Sequence, residues 1–519
     1  MFGFNPLYLT DGYKLGHKDM LADGITVLYG TMIPRKFKYI SKTIERAVSA
    51  HHQFVWMWLD EQWKNHFFNK DWAELKDFVY DMTMYLGLPM DGGHFKELHE
   101  LGYLPMRVKA LPEGVETLPN VPHETFKNTV DGFAWLTLYL ETIVSSALWK
   151  GSTSATLALA YRRNVEEWMD LTSKDSKALI PYMCHDFSAR GLSPWDMVSS
   201  GMAHAFSFKG SDTLAVIPAT RKFYGVARNE MPINSVNASE HSVSTTKIFT
   251  VGEKQMLLDW LKKFPIGILS AVMDTMDITK VVKPGGILSE IKDEIINRDG
   301  KLVIRPDSSP TPLTPVEIIC GWDGELTDRM KKADYPEFYT KGLIQCLWDI
   351  FGGTINSQGY KVLDSHIGAI YGEAINLERQ VEIYKRLEEQ GFATVNIVLG
   401  IGSFTYQYNT RDTLGFAVKG AWFERAEYDQ FEGKDFKRGY DIFKDPITDD
   451  GGKKSLKGRC AVHQDAHGEY YVMTECSEEE ESMGELQLIY EDGKFFNPTT
   501  LEEIRNRIDY NVREKAISM

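Results

Sequence analysis

The chain has 519 residues, with 43% apolar and 25% charged side chains, the balance of a soluble globular protein long enough for two or three domains. A formal net charge of −15 excludes a broad nucleic-acid footprint, though not a small anionic ligand held by a few local Arg and Lys. The five cysteines are scattered and never spaced as CxxC, no stretch approaches the roughly 18 apolar residues that span a bilayer, and Met1 to Pro6 lacks the pattern of a signal peptide. A disulfide framework and a membrane span are thereby excluded, and a cytoplasmic protein is expected.

In chain order, the N-terminal third mixes short strands with aromatic-rich helices. Phe54 to Phe68 predicts a helix whose aromatic stripe belongs to the core. Pro105 to Val121 predicts β structure around a Pro112-Glu113-Gly114 turn. Trp135 to Trp149 predicts a buried helix. From about residue 180 to 405 the pattern changes: apolar runs recur and end in polar or glycine-containing turns. Ile266 to Met273 ends at Asp274, Leu302 to Ile304 at Arg305-Pro306-Asp307-Ser308, Ile367 to Tyr371 at Gly372-Glu373, and Val395 to Leu399 at Gly400-Ile401-Gly402. Ile287 to Asn297 and Leu377 to Gln390 predict intervening helices. Such alternation predicts parallel α/β architecture, either a barrel or an open sheet, with functional side chains at strand C-termini. The tail predicts a Gly/Lys loop over 449–459, a hairpin turning at Asp465 to Gly468, and a solvated turn or helix face over Glu478 to Glu481.

Five short polar motifs fall on separate elements: His185-Asp186-Phe187-Ser188-Ala189-Arg190-Gly191, Phe208-Lys209-Gly210-Ser211-Asp212-Thr213, Ala238-Ser239-Glu240-His241-Ser242, Ile304-Arg305-Pro306-Asp307-Ser308, and Thr410-Arg411-Asp412 with Lys419 beyond. Each alone also reads as a loop, a cap or a surface ion pair. Gly400-x-Gly402-x-x-Thr405 half-matches a dinucleotide fingerprint but lacks the third glycine and the ribose-binding acid, so that reading is rejected. His463 and His467 are spaced i, i+4 but sit in a hairpin, which argues against a metal site.

Together and in this order, with Thr10-Asp11-Gly12-Tyr13-Lys14-Leu15-Gly16-His17 at the start and Phe443-Lys444-Asp445-Pro446 near the end, the motifs resemble the nicotinamide phosphoribosyltransferase family. The resemblance implies an irregular β/α barrel over 176–405 and a second α+β domain formed from both chain ends, 1–175 and 406–519. It implies transfer of 5-phosphoribosyl from phosphoribosyl pyrophosphate to nicotinamide, and a homodimer with shared active sites. Phe187 is then expected to stack on the pyridine ring against Tyr13 of the partner subunit, with Asp212 accepting from the carboxamide and Arg190 nearby. His241 is expected to be phosphorylated by ATP, with Asp274 and Asp307 orienting it or contacting ribose and magnesium. Arg305, Arg411, Lys419 and the other subunit's Arg35 are expected on phosphates, as are the backbone N–H groups near Gly400 and Gly402. Mg2+ is expected to arrive with the substrate phosphates rather than in a protein cage.

The chain departs from the family at Gly372-Glu373-Ala374, where Gly-Asp-Gly is usual, and in a phosphate loop poorer in glycine. Two alternatives remain: a nicotinate phosphoribosyltransferase, against which Asp212 argues because carboxylate would face carboxylate, and a catalytically inactive phosphosugar-binding regulatory protein, against which His241, Asp274 and Asp307 argue.

Overall fold

A computed structural model describes residues 3–444, 446–448 and 455–515. Two compact units emerge. One comprises Met1–Thr156, Ala219–Arg228 and Asn409–Met519, and the other Leu157–Pro218 and Asn229–Tyr408. The first division falls inside a helix of 39 residues spanning Ala134–Thr172, which runs on well past Trp149, where the buried helix was expected to stop.

The second unit is built on six parallel strands: β1 (Cys184–Asp186), β2 (Asn237–Ala238), β3 (Ile266–Val272), β4 (Asp299–Arg305), β5 (Ile367–Tyr371) and β6 (Ile397–Ile401), ordered β1-β6-β5-β4-β3-β2. Single parallel bridges, Asp186↔Ser211 and Gly210↔Asn234, extend pairing from β1 to the segment that leads into β2. The sheet therefore curls back toward its opposite edge as an irregular β/α barrel. Its period-2 alternation is visible in β4: Lys301, Val303 and Arg305 face an interior cavity of about 720 Å³, while Leu302 and Ile304 are fully buried on the other face.

The helix expected at 377–390 forms over Leu377–Glu389, because Asn376 caps it by accepting from Arg379 N at 2.8 Å and Leu377, Gln380, Ile383, Tyr384 and Leu387 bury one face. The single helix expected over 287–297 is instead two short ones, Ile287–Glu290 and Lys292–Ile296, separated at Ile291, whose φ of −111° and ψ of 20° leave the helical region.

The first unit carries a seven-stranded sheet in the order Lys434–Asp441, Ala417–Asp429, Ile25–Ile33, Glu124–Asn128, Met106–Ala110, Gln487–Glu491, Lys494–Phe495. The aromatic stripe is core as expected: Trp56, Trp63 and Phe67 are at most 1% exposed. Its helix spans His52–Trp63 and runs on as a π-turn, Lys64–Phe68. Cys460–Gln464 and Tyr470–Thr474 form the expected hairpin. Glu478–Ser482 is a short helix with a capping box from Ser477, but Glu481 is not solvated: it is buried and paired with Lys109 at 3.2 Å. Of the expected Gly/Lys loop, 449–454 lie outside the described residues, as does Asp445 of the Phe443-to-Pro446 motif. Among the described residues all five cysteines are buried and unpaired, and no helix is long and apolar enough to cross a membrane.

Candidate active site

At the C-terminal edge of the barrel, β1 delivers His185 and Asp186 and then turns through Phe187. Asp186 is fully buried and accepts from Ser188 N (2.9 Å), Ser188 Oγ (2.6 Å), Ser211 Oγ (3.0 Å) and Thr213 Oγ1 (2.6 Å). This carboxylate ties the Phe187 turn to the loop carrying Asp212, and four donors offset the cost of burying it. Asp212 is half-exposed; its Oδ1 accepts from His185 Nε2 at 3.1 Å and from Ser235 Oγ. Burial works to raise the Asp212 carboxyl, but donation from His185 and Ser235 overrides it and holds the group below the usual carboxylate range.

Phe187 packs where only glycine fits. A Cβ at residue 400 would lie 2.6 Å from the Phe187 ring and 2.5 Å from Gly372 Cα, whereas one at residue 372 would make only an ordinary 3.4 Å contact with the same ring. Gly400 thus has a packing reason of its own, besides the phosphate approach expected of it. Gly402 does not share it, since a Cβ there would meet nothing nearer than 3.8 Å. Phe187 and Asp212 line both the interior cavity and an adjoining one of about 430 Å³, which Arg190, Arg305, Asp307 and Gly372 also line.

The second cluster stands at the ends of β3 and β4 and at the start of the helix His241–Val251. His241 Nε2 lies 2.9 Å from Asp274 Oδ1, while Asp274 Oδ2 accepts from Asp307 N (2.9 Å) and Ser308 Oγ (2.6 Å). Because an Asp274 carboxylate accepts at both oxygens, Nε2 is the donating nitrogen, and among the described residues no hydrogen bond engages Nδ1. His241 is half-exposed and Asp274 only 5% exposed, so the imidazole is open while the carboxylate beside it is enclosed. Arg305 donates to Ser239 O at 2.9 Å and stands 3.5 Å from Asp307. Burial pushes the Asp307 carboxyl up, against the pull of Arg305 and with Asp274 adding to the rise. Glu373 is exposed, and Ala374 adopts a φ of 52°, a left-handed conformation that glycine would hold without strain.

The four remaining expected residues lie in the first unit. Lys419 pairs with Thr31 across adjacent strands, and Arg35 binds the turn after Arg411 through Arg35 N to Leu414 O (3.2 Å) and Nε to Gly415 O (3.4 Å). Burial and then the like charge of Arg411 lower the Arg35 guanidinium from its ordinary range. Tyr13 is 65% exposed; burial of part of its ring, and then Asp11, raise its hydroxyl, with Arg411 opposing. The two guanidinium groups share one nearby carboxylate, Asp412, which stands 3.5 Å from Arg411, and such a pair suits an anion.

Four residues escaped assignment from sequence: Asp186, His185, Ser235 and Ser308. His185 and Asp186 were visible beside Phe187, but only the fold shows that they brace it. Ser235 and Ser308 carried no signal, since serine in a loop is commonplace.

The chain matches the model of the nicotinate phosphoribosyltransferase (NAPRTase) family over residues 182–479. It is 38% identical over 525 residues to the nicotinamide phosphoribosyltransferase of Acinetobacter baylyi (strain ATCC 33305 / BD413 / ADP1), covering 98% of this chain and 97% of that protein. It is 30% identical over 484 residues to the nicotinamide phosphoribosyltransferase of Mycoplasma pneumoniae (strain ATCC 29342 / M129 / Subtype 1), covering 87% and 94%. Among solved structures it is similar to human nicotinic acid phosphoribosyltransferase, with a TM-score of 0.53 at 14% identity over 97% of this chain and 94% of that one. It is also similar to nicotinate-nucleotide pyrophosphorylase from Pyrococcus furiosus, with a TM-score of 0.55 at 15% identity over 98% and 95%. At those identities the structural likeness speaks for the fold alone.

Proposed function

The chain belongs to the nicotinate phosphoribosyltransferase (NAPRTase) family, and on that premise we propose that it is a cytoplasmic nicotinamide phosphoribosyltransferase working in NAD salvage. The pyridine nitrogen of nicotinamide attacks C1 of phosphoribosyl pyrophosphate, the bond from C1 to the pyrophosphate oxygen breaks, and nicotinamide mononucleotide and pyrophosphate leave. The observation that carries the choice of base is Asp212, held ionised beside Phe187 with one oxygen already occupied. Such a group accepts from an amide N–H and repels a carboxylate.

Phe187 stacks on the ring, and Arg190 lies toward the amide and phosphate end. Arg305 with Gly372 and Glu373, and the backbone around Gly400 and Gly402, serve ribose and phosphates. Arg411 and Lys419 serve phosphates, and Tyr13 and Arg35 act from a second copy of the chain, in a homodimer with two shared sites; the 65% exposure of Tyr13 supports this. Positioning and charge stabilisation carry the transfer, because a developing oxocarbenium centre needs no covalent partner.

Mg2+ fits this donor set in one way. Asp274 is committed at both oxygens, so the neighbouring Asp307 carboxylate, which lines the same cavity as Arg305, would hold the ion, as suits one that takes its other ligands from substrate phosphates and water. When bound, it neutralises charge on the departing pyrophosphate. ATP coupling follows from His241: Nδ1 attacks the terminal phosphorus, an N–P bond forms, the P–O bond to ADP breaks, and Asp274 stabilises the proton kept on Nε2.

Turnover with nicotinamide or nicotinate, phosphoribosyl pyrophosphate and Mg2+, with and without ATP, tests the reading. Preference for nicotinamide and stimulation by ATP are expected; preference for nicotinate would move the chain to the acid-using alternative, and no turnover with either base would favour a binding protein. Mixing a Tyr13 variant with a His241 variant should restore activity in heterodimers, and a monomer at micromolar concentration would remove the shared site.

A further inference from the structure

We propose that His185 is a positioning residue that sets base selectivity through Asp212, an inference that rests on the reading of Asp212 given above. Two donors, His185 Nε2 at 3.1 Å and Ser235 Oγ, converge on the same oxygen, Oδ1. Among the described residues Oδ2 is left to the pocket. A carboxylate pinned at one oxygen presents the other in one direction, whereas an unpinned one turns about its last bond and presents neither.

The two donors are not equivalent. The Ser235 hydroxyl rotates to suit any acceptor. The His185 ring has no such freedom: a Cβ at Gly210 would lie 2.9 Å from Nδ1, and the Phe187 ring packs 4.7 Å away, centroid to centroid, at 41°. His185 is 12% exposed against 45% for Asp212, so a largely buried group orients a more solvent-facing one. The ring also links the two halves of the base pocket, packing tilted against Phe187 and meeting Asp212 through Nε2. His185 is therefore placed to set the angle at which a stacked ring offers its carboxamide to Oδ2.

The test uses the full-length protein and three variants: His185→Leu removes the donor, His185→Gln restores an N–H near the position of Nε2, and Gly210→Ala displaces the imidazole without removing it. The measurements are kcat and KM for nicotinamide, kcat/KM for nicotinate, and KM for phosphoribosyl pyrophosphate. In His185→Leu the KM for nicotinamide should rise about tenfold, the worth of one charge-assisted hydrogen bond, with KM for phosphoribosyl pyrophosphate unchanged and the nicotinamide-to-nicotinate ratio narrowed by the same factor. His185→Gln should recover most of it, and Gly210→Ala should resemble His185→Leu. If both bases lose equally, or if glutamine rescues nothing, His185 is packing only and the proposal is overturned. Should His185→Leu not fold, His185→Gln against Gly210→Ala decides the same point. Failure of the Asp212 reading itself looks different: the unmodified protein would then prefer nicotinate.

Discussion

The first unit holds a histidine–carboxylate pair at least as well made as the one at the candidate site. His52 Nδ1 lies 2.8 Å from Glu124 Oε2, and Ser49 Oγ lies 3.0 Å from His52 Nε2. By residue type this is a serine–histidine–carboxylate relay. Yet Ser49 and Glu124 are fully buried and His52 is 1% exposed, whereas His241 in the second unit is 49% exposed on an orienting Asp274 that is not. Both nitrogens of His52 are engaged; one nitrogen of His241 is open. A histidine held by a carboxylate is thus structural when the far nitrogen is consumed and chemical when it is free, and access decides between them.

The sharpest way to break this comparison is to cut both pairs. His52→Ala leaves an uncompensated buried carboxylate and should cost about 3–5 kcal/mol of stability, seen as a lowered denaturation midpoint. His241→Ala should stay within about 0.5 kcal/mol of the unmodified protein while abolishing ATP hydrolysis and ATP stimulation. If His241→Ala destabilises as much as His52→Ala, the distinction fails. Next in size, Arg411→Ala should raise the KM for phosphoribosyl pyrophosphate by a charge-assisted hydrogen bond, about 1.5–3 kcal/mol, with KM for nicotinamide held; movement of the nicotinamide constant alone would remove Arg411 from the phosphates. Gly400→Ala should push Phe187 aside at a cost of about 1–3 kcal/mol from overpacking, read as a raised KM for nicotinamide.

The smallest effect concerns pH. Burial raises the folded-state Asp307 carboxyl above its unfolded value, so the proton is held more tightly in the folded chain. Its favourable contribution is present below the unfolded value and is lost as pH rises through the raised one. Asp307→Asn should therefore increase Tm modestly at pH 7, with the difference closing as pH falls below about 4, and should lower turnover at every pH. A loss of Tm at pH 7 would show that Asp307 is held by its partners instead of strained by burial.

The strand-end positions of Asp274, Arg305, Asp307, Gly372 and Gly400 were legible because apolar runs of strand length stop at them, and the parallel sheet followed from helices between those runs. What the sequence hid was of two kinds. The length of the 134–172 helix and the break at Ile291 depend on tertiary packing that outweighs local propensity. The bracing of Asp212 by His185 and Ser235, and of the Phe187 turn by Asp186, depends on loops 20 to 50 residues apart meeting at one barrel rim. Periodicity carries no record of such meetings; Gly400 is visible in the sequence, but only the fold shows that the Phe187 ring requires it.

If an ionised Asp212 selects the amide over the acid, the ratio of kcat/KM for nicotinamide to that for nicotinate will differ between the unmodified protein and Asp212→Asn. That substitution keeps the shape, removes the charge and adds a donor that a carboxylate accepts. A strong preference for nicotinamide in the unmodified protein, narrowed about ten- to a hundredfold in Asp212→Asn, is predicted from the worth of a charged hydrogen bond. A preference for nicotinate, or a ratio that Asp212→Asn leaves untouched, would contradict it.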